Sequence, residues 1–472
     1  MTNFFATTAA PRALVHLDVA TGRVLTAIRD AGGRPMLVGG CVRDAIIGGG
    51  HAPKDIDVEV YGLTFAAVAE ALSGMGRVDE VGKSFGVLKV RAGDTDLDIN
   101  VPRRERKIGA GHRGFEVAPD MTLSFAEASA RRDFTMNAIL LDPQTGEIVD
   151  CHGGVDDIRA GILRHTSRAF AEDPLRVLRA VQFAARFGFT LAPETAALCR
   201  SLADSYAELP VERVWVEFEK IGTKGRRLTA ALKVLAETGW EFHFPQIFAL
   251  HGVPQDAGWH PEGDVHVHSG LAGDQAARLA DDAGLTGADR FVVVMAALLH
   301  DLGKVTHTQQ AGDRITSKGH ASAGVEPAQA FLRSVACPEH LTARIVPLIR
   351  EHMCCIDRPS KPAVRRLARR LVPATMAELA IVCGADRKGR GDTDAPNPAE
   401  AWLEMAAGLS VTERPAKGLL TGDHLIAAGM VPGPAFKPVL ADALAAQDAG
   451  EFEDEAGALT WMREHFDAKK DD

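Results

Sequence analysis

The sequence predicts an α+β multidomain protein: a small α/β head followed by segments that are helical throughout. Three observations predict it. Between residues 14 and 142, helical patterns alternate with short strand-like runs (MLVGG, IDVEV, VLKV, LDINV, NAILL). Apolar residues at alternate positions mark a half-buried strand, whereas apolar residues three and four apart mark a helix. Beyond residue 143 the spacing is helical, as in LRVLRAVQFAARF and FVVVMAALL. Two breaks rich in Pro, Gly and Asp, HGVPQDAGWHPEGD and DTDAPNPAE, punctuate the helical part. The resulting expectation is a head at 14–142, a helical neck and body at 143–250, a third domain at 255–405 and a helical tail at 410–468. A chain of 472 residues has room for about three or four domains.

The head carries the densest chemistry, in MLVGGCVRDAIIGGGHAPKDIDVEVYG at residues 36–62. In the alternating run Asp55-Ile56-Asp57-Val58-Glu59-Val60, residues i and i+2 share a strand face, so Asp55 and Asp57 project side by side. Adjacent carboxylates repel, and such pairs hold cations. Two Mg²⁺ ions bridged by carboxylates are a general device for in-line phosphoryl and nucleotidyl transfer. Upstream, Gly39 and Gly40 let backbone N–H groups approach a triphosphate, and the Arg43 guanidinium can fork onto its oxygens.

The order strand, Gly-Gly, Arg-Asp, Asp-x-Asp resembles the nucleotidyltransferase head of the DNA polymerase beta superfamily. It is more similar still to the class II tRNA nucleotidyltransferase and bacterial poly(A) polymerase family, whose first motif reads GGxVRD followed by DxD. That resemblance implies a third carboxylate on a later strand, at the place occupied by Phe85–Val90 and Asp94–Pro102 (DTDLDINVP). Asp98 is the choice; Asp96 has the same parity, and spacing does not separate them. Arg131-Arg132-Asp133-Phe134-Thr135-Met136-Asn137-Ala138 matches the family's ribose-contacting RRDFTxNA motif. Asp133 can accept from a ribose hydroxyl and the arginines can hold phosphate or ribose oxygens. Asp142 to Asp150 (DPQTGEIVD) resembles the element joining head to neck.

Glu172-Asp173-Pro174-Leu175-Arg176 resembles the family's nucleotide-selecting EDxxR motif, with Arg179 a further nucleotide-binding candidate one turn on. Asp173 also suits an N-cap before a Pro at N1. Asp173 and Arg176 lie three apart and share a helix face. A carboxylate accepts from an exocyclic amine and a guanidinium donates to ring acceptors, so the pair would admit CTP and ATP and reject UTP and GTP. Arg213 and Glu217, four apart in PVERVWVEFEKI, are expected to brace this helix.

A second constellation follows the apolar run FVVVMAALL: His300-Asp301-Leu302-Gly303-Lys304. Adjacent His-Asp at a helix is the signature of HD-domain metal phosphohydrolases, with His268 and Asp386 as the matching ligands and His320 and His352 as extensions toward a second metal. Imidazole and carboxylate together suit Mg²⁺, Mn²⁺ or a later transition metal. His260, His266 and His307 read as ordinary surface or loop residues.

Composition bounds the rest. The start lacks the charged, apolar and cleavage segments of a signal peptide, and no apolar run reaches the ~18 residues needed to span a bilayer. Seven cysteines without paired spacing fit a reduced, cytoplasmic compartment, with Cys354-Cys355 as packing residues. The net charge of −10 puts any RNA contact on local basic clusters: Arg103-Arg104 with Arg106-Lys107, Arg113, and Lys224 with Arg226-Arg227. Low aromatic content disfavours a single-strand stacking platform. The C-terminal GDHLIAAGMVPGPAFKPVL resembles a family pattern but has Phe436-Lys437 where Gly is usual.

The resemblance, closest to HD-containing bacterial CCA-adding enzymes, implies template-independent addition of CCA to tRNA 3′ ends from CTP and ATP, with Mg²⁺ at Asp55 and Asp57. It also implies a second divalent metal of open identity in the HD domain and an added phosphohydrolase activity. Poly(A), CC-only or A-only addition shares these motifs. A phosphohydrolase with a degenerate head is the reading from another class, against which the intact DxD stands. A non-catalytic RNA-binding protein would leave both metal constellations unused.

Overall fold

The structure, a computed structural model, describes residues 14–48, 53, 55–75, 78–81, 87–107, 115–312, 314–392 and 394–466. It divides into two compact units: Met1–Arg213 with Lys233–Trp240, and Val214–Leu232 with Glu241–Asp472. The α+β class and a mainly helical C-terminal part are as the sequence predicts, but the part after the head is not helical throughout: Ile162–Leu163 pairs with Thr190–Leu191, and Gln309–Ala311 with Arg314–Thr316.

The head is built on nine strands: β1 (Arg34–Val38), β2 (Asp55–Tyr61), β3 (Val78–Val81), β4 (Val87–Ala92), β5 (Thr95–Asn100), β6 (Arg103–Lys107), β7 (Phe115–Pro119), β8 (Leu140–Leu141) and β9 (Ile148–Val149). Seven form one mixed sheet in the order β3-β4-β5-β2-β1-β8-β9. The β6–β7 pair is a separate antiparallel hairpin. The parallel β2–β5 pairing sets Asp57 opposite Asp98 and Asp55 opposite Asp96. Ile56 and Val58 are buried on the other face of β2, as alternation requires. The run NAILL is shorter as a strand than expected: Thr135–Asn137 is a 3₁₀ turn and only Leu140–Leu141 joins the sheet.

Asp150 starts the next helix (Gly154–Ala160) by accepting from the N–H groups of Gly154 and Val155, both at 2.9 Å. The helix Leu175–Phe187 buries Leu175, Val177, Leu178, Val181 and Phe183, and stops at left-handed Gly188. Phe134 packs edge-on against Phe170 and Phe183, with centroids 5.5 and 5.6 Å apart. These rings tie the Arg131–Asp133 turn to the helix carrying Arg176 and Arg179.

In the second unit, the helix Gly287–Leu299 is buried from Arg290 to its end. A helix apolar on every side is a central one, and it delivers His300 and Asp301 into the interior. The helices Val265–Asp282, Glu339–Glu351 and Met376–Lys388 surround it. Gly303 is required: a Cβ there would lie 2.0 Å from the His320 carbonyl oxygen. At the C-terminal end, Phe436 opens the helix Phe436–Ala449 and packs on a small core of Leu425, Val439 and Trp461.

Candidate active sites

Asp55, Asp57, Asp96 and Asp98 line one cleft on the sheet, together with Lys89 and Arg91. Asp98 lies 3.1 Å from Lys89 Nζ, and Asp96 lies 2.5 Å from Arg91. Burial raises the Asp57 carboxyl above its usual range, and Asp98 and Asp55 push it the same way against Arg132 and Lys89. Asp98, in register with Asp57, is thus the carboxylate that Asp57 feels most. Gly39 makes the approach possible. Its φ is +73°, and an added Cβ would lie 3.0 Å from Asp57 Oδ2. Gly39→Ala is expected to cost roughly 1–3 kcal/mol through backbone strain alone. A melting temperature equal to wild type would contradict that.

Glu59, on the same face as Asp55 and Asp57, is fully buried and receives Arg132 at 3.2 Å and Arg131 at 3.8 Å. Arg132 Nη1 is also 3.5 Å from where a Gly39 Cβ would stand. It is therefore anchored behind by Glu59 and faces Asp57. Sequence reasoning passed over Glu59, although its place at i+2 from Asp57 was the available signal.

The structure corrects the expectation for Arg43. Its side chain is buried, donating to Asn137 Oδ1 at 2.7 Å and Asp44 Oδ1 at 2.8 Å, and stacked against Phe183 and Phe187. It braces the glycine turn from beneath instead of forking onto an open ligand. Asp133 is likewise engaged. Oδ1 accepts from Asn137 and the Phe134 N–H, and Oδ2 accepts from Arg179 at 2.7 Å. Burial opposes ionisation of Asp133, but Arg179 and Asn137 override it and hold the carboxyl at about 2. Asp133 thereby fixes Arg179, while Gly40 starts the helix Gly40–Ile47 with Arg43 Nη2 3.6 Å from its would-be Cβ.

Asp173 and Arg176 lie where the helix begins. The Asp173 cap is weak: Oδ1 accepts the Leu175 N–H at 3.3 Å. Its main partner is Arg213, which forks onto both oxygens at 3.3 and 2.8 Å. Of the expected bracing pair, Arg213 holds the helix start through Asp173, while Glu217 pairs with Lys220 at 2.9 Å. Arg176 donates to the carbonyls of Ala169 and Arg131, both at 2.7 Å. Arg213, expected to brace this helix, does so at its first turn through Asp173, a partner forty positions back and beyond any helical spacing.

In the second unit, His268, His300, Asp301, His320, His352 and Asp386 converge. His268 Nε2 is 3.1 Å from Asp386 and 3.7 Å from Asp301, and His300 Nε2 is 3.2 Å from Asp301. On the other side, Asp301 Oδ1 is 3.1 Å from His320 Nε2 and 3.9 Å from His352 Nε2. Asp301 belongs to both groups, His268–His300–Asp301 and Asp301–His320–His352, as a bridging ligand would. The Nδ1 atoms of His300, His320 and His352 sit 2.6–2.7 Å from the carbonyls of Ala297, Ser317 and Ile349. Donation to a carbonyl fixes the tautomer with the proton on Nδ1 and the lone pair on Nε2. The Nε2 atoms of His320 and His352 then face each other at 3.2 Å as two lone pairs. His300 Nε2 and both Asp301 oxygens are buried without an aligned hydrogen-bond partner among the described residues. This donor set fits divalent cations.

Burial disfavours a charged Asp301, yet His300 and Lys304 hold it well below the carboxylate range. Burial and His300 keep His352 neutral, at about 3. His268 goes the other way: Asp386 and Glu262 overcome burial and push it up to about 9. Glu262, 2.6 Å from His268 Nδ1, is a second residue that sequence reasoning missed.

The reading of two other histidines is corrected. His260 is held 2.9 Å from Glu262 and its ring meets His268, while His266 is buried 3.2 Å from Glu241. His307 is exposed as expected. Of the basic clusters, Arg104 is paired with Asp120 and Arg226 with Asp281. Arg113 and Phe85-Gly86 lie outside the described residues. Cys354 and Cys355 are free thiols, 3.6 Å apart.

Three family profiles match this chain: the poly A polymerase head domain over residues 36–164, the probable RNA and SrmB-binding site of polymerase A over 188–250, and the HD domain over 265–388. The multifunctional CCA protein of Xanthomonas campestris pv. campestris is 40% identical over 395 residues, covering 80% of this chain and 91% of that protein. The chain belongs to the multifunctional CCA protein family. The member from Stenotrophomonas maltophilia is 38% identical over 404 residues, covering 80% of this chain and 92% of its own. In fold the chain is similar to the CCA-adding enzyme of Bacillus stearothermophilus solved with CTP, with a TM-score of 0.64, 24% identity and 95% and 97% of the two chains covered. The Thermotoga maritima CCA-adding enzyme complexed with tRNA gives a TM-score of 0.54 at 18% identity, with 94% of each chain covered. The carboxylate cleft falls in the head profile and the histidine cluster in the HD profile, with Glu262 just before the latter's start. Among the described residues no helix is long and apolar enough to cross a membrane.

Proposed function

We propose that this chain adds CCA to tRNA 3′ ends from CTP and ATP at the head cleft, and that its histidine cluster hydrolyses phosphoesters. The observation that carries the first reading is the carboxylate face of Asp55, Asp57 and Asp98, opened by Gly39. These residues would hold two Mg²⁺ ions, which when bound lower the pKa of a 3′-hydroxyl and neutralise triphosphate charge. Arg132, anchored by Glu59, sets a fixed positive charge beside them. Asp173 accepts from the amine of cytosine or adenine, with Arg213 holding its carboxylate in place. Arg176, tethered to two carbonyls, offers its remaining N–H groups to ring acceptors. The names of the relatives support this reading, as does the tRNA in the similar Thermotoga structure.

The deciding experiment supplies tRNA lacking its 3′ end with each NTP alone and with CTP plus ATP, and sequences the products. CCA on the pair supports the proposal. A poly(A) tract, CC alone or A alone assigns the head to one of the sister activities. Selectivity gives a further expected result. Asp173→Ala relaxes discrimination of CTP over UTP by about 5- to 150-fold, the worth of one bidentate base contact. Arg213→Ala relaxes it less, because Asp173 remains but loses its fixed orientation. Unchanged CTP/UTP ratios of kcat/KM with a lowered melting temperature would make both residues structural.

For the second reading, His268, His300, Asp301 and Asp386 would hold a divalent metal, with His320 and His352 extending the site to a second. The bound metal supplies Lewis-acid activation of a phosphoester. The resemblance points to 2′,3′-cyclic or 2′-phosphorylated nucleotides, ends that must be cleared before a free 3′-hydroxyl can react.

A further inference from the structure

The histidine cluster opens into a cavity of about 810 Å³ with one unusual wall. Lys318 and Arg387 line it with positive charge, beside Lys304 and Arg390 that are paired with Asp301 and Asp386, and Trp259 stands with them. Trp259 differs from every other tryptophan of the chain. Trp240, Trp402 and Trp461 are buried, and Trp215 packs against Phe291 at 5.2 Å. Trp259 is 67% exposed. A large aromatic surface held in water beside a charged cavity marks a binding surface.

Its position is fixed by the turn that carries it. The Asp256 carboxylate accepts from the Gly258 N–H at 3.0 Å, and the Asp256 carbonyl accepts from the N–H groups of Trp259 at 3.0 Å and His260 at 2.8 Å. The turn is also tied to the cluster. The ring of His260, the next residue, meets that of His268 at 4.8 Å, and both histidines reach Glu262. One short segment therefore orients a cluster ligand and sets an indole plane at the mouth of its cavity.

We propose that Trp259 is the base platform of this second site: the nucleobase of a terminal nucleotide stacks on the indole while its phosphate reaches the cationic floor. This rests on the phosphohydrolase reading and deepens it. The substrate class is a nucleoside phosphate or RNA end, and a bare phosphoester is the poorer ligand. A single stack is tolerant of base identity, because every base has a π-face.

The test uses the full-length protein with Mg²⁺, Mn²⁺, Co²⁺ or Ni²⁺ and two probes, adenosine 2′,3′-cyclic phosphate and the base-free glycerol 1,2-cyclic phosphate. Trp259→Ala is expected to lower kcat/KM about tenfold for the adenosine probe, chiefly through KM, the size of one lost base–aromatic stack. The glycerol probe should stay within twofold, and Trp259→Phe should recover most of the loss. Equal loss on both probes, or none on either, overturns the proposal. So does a variant that hydrolyses both normally but adds CCA poorly, which would place Trp259 on the tRNA instead. If wild type hydrolyses neither probe, the phosphohydrolase reading fails by itself. Binding of adenosine 2′-monophosphate and of glycerol 2-phosphate, each measured calorimetrically without metal, then decides the platform. Base-dependent affinity lost in Trp259→Ala sustains it, and its absence overturns it.

Discussion

Asp57→Asn lowers nucleotide addition by on the order of 10²-fold or more, yet leaves the protein folded and, without divalent ions, at least as stable as wild type. The loss of activity follows from removing charge that stabilises the transition state in a preorganised site. The stability half follows from the direction of the Asp57 pKa. Burial, Asp98 and Asp55 raise it above its unfolded value. The folded state then binds the proton more readily than the unfolded state, so the ionised carboxylate opposes folding at neutral pH. That penalty is present above the folded pKa and relieved as pH falls toward the unfolded value. A neutral amide removes it at all pH values. Mg²⁺ reverses the comparison, because a ligand of the folded state stabilises it by mass action. Wild type should gain melting temperature with added Mg²⁺ and the variant should gain less. Asp98→Asn should behave like Asp57→Asn, and Asp96→Asn should be mild, because Asp98 stands opposite Asp57 and Asp96 opposite Asp55. Normal incorporation by Asp57→Asn at saturating Mg²⁺ would remove Asp57 from the reaction.

Period-2 alternation was enough to put Asp55 and Asp57 on one face, because a strand has only two faces. The choice between Asp96 and Asp98 was not legible, since parity is blind to register; the pairing of β2 with β5 supplies the register, Asp98 opposite Asp57 and Asp96 opposite Asp55. Arg43 shows a different limit. A guanidinium beside a glycine turn looks like a phosphate ligand in one dimension, but Phe183, Phe187 and Asn137 come from distant segments and bury it. Glu262 was missed because it lies in the turn before the helix that carries His268, outside any helical spacing. The histidine cluster was legible because its ligands are rare residue types in a recurring order. The tautomers were not, because they depend on how each ring meets the carbonyl of Ala297, Ser317 or Ile349, an alignment that the sequence does not show.

His300→Ala combined with Asp301→Ala abolishes phosphoester hydrolysis and leaves CCA addition within a few-fold of wild type, while Asp55→Ala does the reverse. Asp301 lies in both ligand groups, so its loss dismantles both at once. His300 contributes an Nε2 without an aligned hydrogen-bond partner among the described residues. The double variant puts folding at risk through its Asp301→Ala half. Asp301→Ala alone would leave the buried Lys304 ammonium, 2.7 Å from Asp301 Oδ2, without its countercharge, and breaking a buried pair costs about 3–5 kcal/mol. Lys304 also donates to Gln255 at 2.7 Å, which holds it partly satisfied. Asp301→Asn is therefore the companion variant: it keeps volume and a hydrogen-bond acceptor while removing the charge. Metal content of the purified variants, measured by elemental analysis, supplies a readout independent of turnover. It should fall by at least one ion per chain in either variant and stay at the wild-type level in Asp55→Ala after dialysis against Mg²⁺-free buffer. Ligands held by fixed tautomers and buried carboxylates release metal slowly, whereas the open head cleft exchanges it. If a folded Asp301→Asn protein retains hydrolysis, or loses nucleotide addition along with it, the two sites are not the separate catalysts that their ligand sets imply.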